Sequence, residues 1–422
     1  MSEIVSALEQ FLKKYRLQKI AIGLSGGIDS IVLLHALKKL EKNYKLKLYA
    51  IHINHNLQQK SLGWIMFCQK ICEQLNIPII IKNITNDLQK GQSIEAWARE
   101  KRYDAFKEIL ADINFNHIFL AHHKNDQAET LLLNLIRGSG LDGLASMPEV
   151  RNKKAYQIYR PFLSISRAQI ETYAKKNRLQ WIDDSSNDDT RFDRNFIRHE
   201  ILNKINHRFN ALDNFYTTTK NIQYSLDLLN TYLESDLNKL IDKKCLIFSK
   251  FIQYDLNHQI HLLRFWIKQN NILPPNRKEM LNLIQSLQQA KNNWQFNFND
   301  HCLILYNNFI YLFKQTPILP DDFFIHWHGE NLILKEYNFS ISKNDLENLG
   351  LDLAKINWEK VTIRARKPKD RCQPIGRNKS NDLKIIFQEK SIPKFIRERT
   401  PLIIYQKQII AVGKLFGCNQ NT

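Results

Sequence analysis

Short apolar runs and helical patterns alternate through the first two hundred residues, and this alternation constrains the fold more than any other sequence feature. The runs predict strands at residues 19–24, 46–53, 78–84, 117–121 and 155–159. Apolar residues at helical spacing predict helices at 31–40, 62–75, 93–110, 126–137 and 167–177. Because strands that alternate with helices pair in parallel, we expect an α/β fold whose parallel sheet is covered on both faces.

Local signals mark the ends of two of these helices. Asn125 is expected to cap the helix that starts at residue 126, and Gly138 is expected to end it. Ser166 and Gln169 have the spacing of a capping box.

The pattern changes beyond residue 215, and the 422-residue chain is too long for one ordinary core. Amphipathic helices are predicted at 226–240, 256–269 and 277–289, followed by strands at 294–298, 302–306 and 310–313. Residues 316–322 have the composition of a linker, and the last hundred residues predict an α+β module. We therefore predict an α/β domain at 1–215, a mainly helical middle domain at 216–315 and a small basic domain at 323–422.

The charge balance favours a polyanionic partner. Lys and Arg number 61 against 42 Asp and Glu, a formal net charge of +19. Residues 361–422 alone contain fourteen Lys and Arg against four Asp and Glu, a net of +10. Nucleic acid and an anionic membrane surface both fit this excess, and so does a generally basic proteome.

Other bulk features narrow the class of protein. No signal peptide is expected at the N-terminus, and no run reaches the ~18 apolar residues that a membrane span needs. The six cysteines are scattered and form no Cys-x-x-Cys pair, which argues against a disulfide scaffold and a zinc site. We expect a cytoplasmic protein without a membrane partner.

A glycine-rich loop joins the first predicted strand to the next helix. Glycines there let the backbone approach an anion, and the start of the helix adds unpaired N–H groups and a positive dipole end. The spacing fits neither a Walker A loop nor the dinucleotide fingerprint. The loop is Ser25, Gly26, Gly27, Ile28, Asp29 and Ser30.

This hexapeptide resembles the Ser-Gly-Gly-x-Asp-Ser loop of the N-type ATP pyrophosphatases, which cleave ATP between its α and β phosphates. The resemblance implies an adenine nucleotide alpha hydrolase-like fold, with ATP held by the six residues of the loop. It also implies that Asp29 helps to place Mg²⁺.

Further motifs follow the loop along the first two hundred residues. They are His-Ile-Asn-His at 52–55, Ala-Arg-Glu-Lys-Arg-Tyr at 98–103, Ala-His-His-Lys-Asn-Asp-Gln-Ala-Glu-Thr at 121–130, Arg-Gly-Ser-Gly at 137–140, Asp-Ser-Ser-Asn at 184–187 and Arg-Asn-Phe-Ile-Arg at 194–198. In this order they resemble the tRNA(Ile)-lysidine synthase family. The resemblance implies a ligase that joins free L-lysine to carbon 2 of the wobble cytidine in a minor isoleucine tRNA. ATP first adenylates the base, and the products are lysidine, AMP and pyrophosphate. The modification changes codon reading from AUG to AUA and identity from Met to Ile.

The resemblance also assigns roles to residues of the N-terminal domain. Asp126 and Glu129 lie three apart on a predicted helix, so they share a face, and they are expected to bind the lysine substrate. Acids in the first turn of any helix also meet its dipole favourably, which is the alternative. His122, Arg99 and Arg194 join Asp29 as predicted catalytic residues, although a packing role for His122 and a solvated face for Arg99 stay open.

The predicted tRNA contacts lie mostly in the basic C-terminal domain, which resembles the family's tRNA-binding module. They are Arg198, Arg364, Arg366, Arg371, Lys384 and Lys390. The resemblance implies a monomer or a homodimer. Two other functions remain open at this stage: a tRNA thiolase of the same superfamily and a non-enzymatic RNA-binding protein.

Overall fold

The computed structural model describes residues 2–54, 61–84, 94–184, 188–242, 244–290 and 294–419. It divides into two compact units, Met1–Leu229 and Asn230–Thr422. A long helix, Ala211–Leu240, runs through the boundary predicted at 215/216, and the division into three domains stays a prediction. Within the motifs, His55 and residues 185–187 lie outside the described residues, as does Ser93 at the start of a predicted helix.

The first unit contains the predicted alternation of strands and helices. Its helices are α1 (Glu3–Tyr15), α2 (Ile28–Tyr44), α3 (Ser61–Gln74), α4 (Ile94–Asp112), α5 (Lys124–Ile136), α6 (Leu141–Leu144), α7 (Arg167–Lys176), α8 (Asp193–Phe196), a π-helix at Ile197–Leu202, α9 (Asn203–Phe209) and the start of α10 (Ala211–Leu240). Its strands are β1 (Lys19–Gly23), β2 (Lys47–Asn54), β3 (Ile79–Asn83), β4 (His117–Phe119), β5 (Val150–Asn152) and β6 (Gln157–Tyr159).

The six strands form one sheet in the order β3-β2-β1-β4-β6-β5. All pairings are parallel except the one at the edge, where β5 runs antiparallel to β6. Alternate residues of β1 enter two different apolar clusters: Ile20 and Ile22 pack with α1 and α2, while Ala21 packs with Phe106 of α4. Both faces are therefore covered, which confirms the predicted α/β class, although neither β5 nor α1 was predicted.

The helix ends test the predicted caps. The Ser166–Gln169 capping box is present, and Gly138 follows α5 in the left-handed conformation at φ 67°, so both predictions are confirmed. The prediction that Asn125 caps α5 is wrong. The N-cap is His123, whose backbone N–H donates to the Asp126 carboxylate at 2.9 Å, and the helix therefore starts two residues earlier than predicted, at Lys124.

The second unit begins within α10 and has two main sheets. The first has the order β7-β8-β11-β10-β9 and lies in sequence around three helices. Its elements are β7 (Ile241–Asp242), β8 (Cys245–Ile247), α11 (Phe248–Phe251), α12 (Leu256–Gln269), α13 (Arg277–Gln288), β9 (Gln295–Phe298), β10 (His301–Tyr306) and β11 (Phe309–Lys314). The predicted middle helices and the strand triplet are confirmed, and β7 and β8 extend the sheet beyond the prediction.

The C-terminal module has a second five-stranded antiparallel sheet, in the order β12-β15-β18-β19-β20. Its elements are β12 (Phe324–His326), β13 (Leu332–Leu334), β14 (Phe339–Ile341), α14 (Lys343–Asn348), β15 (Val361–Arg364), β16 (Arg371–Cys372), β17 (Asn381–Asp382), α15 (Leu383–Glu389), α16 (Lys394–Arg397), β18 (Leu402–Tyr405), β19 (Gln408–Val412) and β20 (Phe416–Gly417). The module is α+β, as predicted. Across the described residues of both units, no helix has the length and apolar character needed to cross a membrane.

Candidate active site

The loop after β1 is shaped by its own hydroxyl groups. The Ser25 backbone N–H donates to Ser30 Oγ at 3.2 Å, and Ser30 Oγ donates to the Gly27 carbonyl at 2.9 Å. Gly27 is the N-cap of α2 and has no side chain to accept from the first turn. The N–H groups at the start of this 17-residue helix therefore face the carboxyl edge of the sheet, where ligands of open α/β folds bind.

Glycine is favoured at the two glycine positions of the loop for different structural reasons. Gly26 has φ 89°, and a Cβ there would lie 3.3 Å from both Cys68 Sγ and Ile182 Cδ1. At Gly27 a Cβ would meet only Ser25 Oγ at 3.5 Å, an ordinary contact. Gly26 is thus required by the fold, whereas Gly27 leaves space on the side where an anion would approach.

This difference gives a paired prediction. We expect Gly26→Ala to lower the unfolding temperature, because an L-residue is strained at this φ. We expect Gly27→Ala to fold normally and to weaken ATP binding about tenfold, because the new methyl group restricts approach to the helix N–H groups. Thermal unfolding and equilibrium binding of ATP by both variants test this. Normal ATP affinity in Gly27→Ala would remove the phosphate-binding role of the loop.

Asp29, in the first turn of α2, lies within a small charged cluster. Arg167 Nη1 donates to its two carboxylate oxygens at 2.9 and 2.7 Å, and His123 Nε2 lies 3.6 Å from Oδ1. Burial raises the pKa of Asp29, although the nearby His123 and Arg167 oppose part of that rise. The side chain keeps 28% exposure, so one edge of the carboxylate can reach a ligand.

Asp126 and Glu129 both face two arginines from the segment after α7. Arg194 donates through Nη2 to Asp126 at 2.8 Å and through Nε to Glu129 at 2.7 Å. Arg198 donates to the two Glu129 oxygens at 2.6 and 3.0 Å. The Glu129 side chain is fully buried, and the Asp126 side chain is 12% exposed. The predicted lysine-binding acids are therefore brought together as expected, but guanidinium groups already neutralise them.

The geometry of this cluster is reflected in the titration of Asp126. Burial alone would raise its pKa, but His123 and Arg194 together hold the pKa well below its usual range. A depressed carboxyl pKa contributes stability that is present above the unfolded-state value and is lost as pH falls through the folded-state value. The Asp126–Arg194 pair should therefore persist into strongly acidic solution.

The two adjacent histidines differ in their surroundings. His123 Nε2 is 3.6 Å from both Asp29 and Asp126, so this ring links the phosphate loop to the acid pair. Burial lowers the pKa of His122 to about 3, which leaves its ring neutral near pH 7. The Nδ1 atom of His122 is buried and has no hydrogen-bond partner among the described residues. A neutral ring can accept a proton or polarise a group, but the geometry gives His123 the more central position.

The remaining predicted residues lie in different settings. Arg99 is exposed on α4, with its guanidinium 5.3 Å from the Tyr103 ring, and its charge helps to lower the pKa of His122 after the larger effect of burial. Among the described residues it forms no ion pair with Asp29, Asp126 or Glu129. Its predicted catalytic role therefore stays a prediction.

The basic residues of the C-terminal module are only partly on an exposed face. Arg364 lies on the less buried face of β15, and its guanidinium is paired with Asp370 at 2.9 and 2.7 Å and is 20% exposed. Arg366 lies over the Phe387 ring at 5.9 Å. Arg371, Lys384 and Lys390 are exposed. Contacts of all five with tRNA stay predictions.

Two site residues were not anticipated from the sequence. Arg167, the first residue of α7, was not singled out, and Arg198 was expected to contact tRNA rather than Glu129. The capping box that precedes Arg167 is the one local signal that places it at a helix start near the loop edge. Nothing local pairs Arg198 with an acid 69 positions away.

Two segments of the chain match known families, and whole proteins match over nearly its full length. Residues 1–205 match the PP-loop domain, and residues 361–422 match the TilS substrate C-terminal domain. A tRNA(Ile)-lysidine synthase of Francisella tularensis is 36% identical over 96% of this chain and 97% of its own length. The chain belongs to the tRNA(Ile)-lysidine synthase family. Synthases of the same name from Nitrosomonas europaea and Haemophilus influenzae are 32% and 35% identical, covering 95% and 97% of this chain and 88% and 98% of their own lengths.

Membership in this family decides between the functions left open by the sequence. The matched relatives are named as synthases, and they extend across both the nucleotide-binding unit and the C-terminal module. The thiolase alternative is less supported, and the family name describes an enzyme rather than a passive RNA-binding protein. The predicted family and fold class are confirmed.

Proposed function

We propose that this chain is the ATP-dependent ligase that joins L-lysine to carbon 2 of the wobble cytidine in the CAU-anticodon isoleucine tRNA. The single observation that carries this proposal is similarity to tRNA(Ile)-lysidine synthases over nearly the full chain. Two parts of the site fit the two steps of this reaction. The anion-binding loop lies at one end and the buried acid pair at the other, and His123 lies between them.

The loop end suits the adenylation step. The carbonyl oxygen at C2 of the cytosine attacks the α-phosphate of ATP, a bond to the α-phosphate forms, and pyrophosphate leaves. The N–H groups at the start of α2 and the Ser25 and Ser30 hydroxyls would orient the departing phosphates. Arg167, held by Asp29, can approach the same phosphates when a ligand enters.

Asp29 is the residue that would hold Mg²⁺. Its carboxylate is a hard oxygen donor beside the phosphate loop, and magnesium commonly uses one or two carboxylates together with substrate phosphates. Within the described residues no cluster of three or more His, Cys, Asp or Glu side chains is arranged to hold a metal by itself. When bound there, Mg²⁺ would neutralise charge that develops on the phosphates.

The acid end suits the second step, in which the lysine ε-amine attacks C2 and AMP leaves with the oxygen. Asp126 and Glu129 would bind the ammonium groups of lysine, and His123 would accept the proton that the attacking amine releases. His122, whose burial disfavours protonation, would polarise a phosphate or the base instead. Because Arg194 and Arg198 now occupy both carboxylates, lysine must replace at least one guanidinium. A displaced arginine is then free to approach the α-phosphate or the tRNA backbone.

This exchange predicts that an arginine competes with the substrate. We expect Arg198→Ala to raise the affinity for free lysine about tenfold in the absence of tRNA, since one competing charged hydrogen-bond donor is removed. Equilibrium dialysis with radiolabelled lysine measures this. Arg191→Ala is the matched control, because Arg191 is 88% exposed and forms its ion pair with the neighbouring Asp189, away from Glu129 in sequence. Unchanged lysine affinity in Arg198→Ala would place the lysine site elsewhere.

The proposed activity is tested by incubating the protein with total bacterial tRNA, Mg²⁺, ATP and radiolabelled lysine. ATP-dependent label in a nuclease-released nucleoside is the expected result. Absence of label, with tRNA and ATP still bound, would overturn the lysine assignment and favour another donor. A monomer or homodimer is expected, and light scattering with and without tRNA measures which one is present.

A further inference from the structure

Exposed apolar side chains surround the segment that carries Arg194. Phe192 and Phe196 are 50% and 45% exposed, and they lie at the two ends of the short helix α8, Phe192 as its N-cap and Phe196 as its last residue. Leu135 and Ile136, at the end of α5, are 58% and 67% exposed. We call these four residues the apolar patch. Single exposed apolar residues are ordinary, but four on two contacting elements form a surface that suits a partner.

An exposed ion pair lies between the two halves of the apolar patch. Arg137, directly after α5, donates to Asp193 at the start of α8 with an Nη2–Oδ2 distance of 3.1 Å. The end of α5 and the start of α8 are therefore neighbours. Phe192 directly precedes Asp193, and Ile136 directly precedes Arg137, so the apolar side chains flank this pair.

The apolar patch borders the reacting groups. Arg194 lies between the two phenylalanines in sequence and extends to Asp126 and Glu129. The Arg194 side chain contacts the buried acids, whereas about half of each phenylalanine side chain is exposed to solvent. A molecule that lies on the phenylalanines therefore lies across one short helix from the proposed lysine site.

The charges around the apolar patch indicate the chemistry of its partner. Arg137 and Arg191 are 57% and 88% exposed at its edge, and each is paired with an aspartate, Asp193 and Asp189. Because ion pairs at the surface are weak, a phosphate can compete for these guanidinium groups. Exposed rings beside such guanidinium groups fit a ligand that has flat apolar faces and an anionic backbone, which describes unpaired nucleotides. A folded duplex would not offer base faces.

We propose that the apolar patch is a stacking platform for unpaired bases of the tRNA anticodon loop next to the base that is modified. The inference rests on the proposed function, since it takes the anticodon loop as the substrate. An enzyme that reacts with one base must hold it outside the stack, and that leaves neighbouring bases without partners. Phe192 and Phe196 supply replacement faces for those neighbours and thereby fix the register of the loop. They are positioning residues that act on the substrate around the reacting base.

The test measures binding of an anticodon stem-loop RNA by the full-length protein. The RNA carries 2-aminopurine beside the wobble position, and its fluorescence falls when the base stacks on an aromatic ring. We expect Phe192→Ala and Phe196→Ala each to weaken binding about tenfold and to reduce the fluorescence change. Phe192→Trp should restore both readouts. Because the side chains are half-exposed, these variants should keep the wild-type unfolding temperature.

Salt dependence separates stacking from charge. The alanine variants of the phenylalanines should keep the wild-type slope of log affinity against log salt, while Arg191→Ala should reduce that slope by about one phosphate contact. Phe209→Ala is the matched control, since Phe209 is 62% exposed on α9 outside the apolar patch, and its affinity should stay unchanged.

Three outcomes would overturn the proposal. They are wild-type RNA affinity in the double variant Phe192→Ala/Phe196→Ala, an equal loss in Phe209→Ala, and conversion of a dimer to a monomer by the double variant, which would make the patch a contact between copies. The assay needs no catalysis. Failure of the proposed function would instead appear as wild-type protein that binds the RNA but incorporates no lysine.

Discussion

Replacing Asp29 with asparagine is expected to lower the rate of lysidine formation about 10²–10³-fold without unfolding the protein. The carboxylate is the one charged oxygen donor that the phosphate loop itself contributes, at the start of α2. Asparagine keeps the shape of the side chain, but it carries no charge for Mg²⁺ and pairs only weakly with Arg167. The loss should therefore fall on the adenylation step.

The direction of the stability change in Asp29→Asn follows from the pKa of Asp29. Burial raises that pKa above the ordinary value, so the fold disfavours the charged carboxylate despite its arginine partner. A neutral side chain removes this cost, and the unfolding temperature should stay the same or rise slightly. Sites that bind charged ligands often have this property, because the ligand supplies the missing compensation.

Single-turnover assays with ATP labelled at the α-phosphate, run beside thermal unfolding, measure both quantities. Glu171→Gln is the matched control, because Glu171 is the other carboxylate on Arg167, with an Nε–Oε1 distance of 2.9 Å. That variant should keep near-normal rates. Near-normal adenylation in Asp29→Asn would remove Asp29 from the metal-binding role and direct attention to Arg167 and the loop N–H groups.

The parts of the fold that the sequence predicted are those with a local cause. The strand that ends at Gly23, the helix that follows it and the capping box at Ser166 each follow from residues close together in the chain. The antiparallel edge strand Val150–Asn152 was missed because Val150 is its one apolar residue, which leaves no apolar run, and its direction is set by pairing with β6.

Asn125 shows how a local rule for helix capping fails when a nearby residue occupies the N-cap position. Asparagine is a favoured N-cap, but His123 takes that position because the Asp126 carboxylate binds its backbone N–H. The Asn125 side chain accepts instead from the Arg167 backbone N–H at 3.0 Å, which ties the starts of α5 and α7 together. The residue predicted to cap one helix thus helps to position the arginine that binds Asp29.

In the candidate site, too, some features follow from residues close together in the chain and others from residues far apart. The face shared by Asp126 and Glu129 follows from their spacing, and the structure agrees. Their arginine partners come from 65 to 69 positions away, and the second of them lies in a π-helix, Ile197–Leu202. Spacing cannot predict such pairs, because tertiary packing decides them. The π-helix fits the tendency of that geometry to occur at functional sites.

Glu129→Gln is expected to have the largest effect on stability among substitutions in this cluster. Glu129 is fully buried and accepts from both arginines, so a neutral amide leaves two guanidinium groups with less compensation. Breaking a buried pair costs about 3–5 kcal/mol, and the arginines' 28% and 33% exposure lowers this to roughly 2–3 kcal/mol. The activity should fall as well, since the lysine-binding charge is lost.

Thermal and urea unfolding of the wild type and of Glu129→Gln would measure the change in the free energy of unfolding. Asp193→Asn is the matched control, because its pair with Arg137 is exposed, at 72% and 57%, and should contribute little. If Glu129→Gln unfolds like the wild type but no longer incorporates lysine, the acid acts on the substrate and the arginine pairs are dispensable for folding. If it loses stability yet keeps its affinity for lysine, Glu129 serves to hold Arg194 and Arg198, and the ammonium group binds Asp126 or another acid. The expected result is loss of both, because one buried carboxylate is proposed to bind a guanidinium before lysine arrives and an ammonium afterwards.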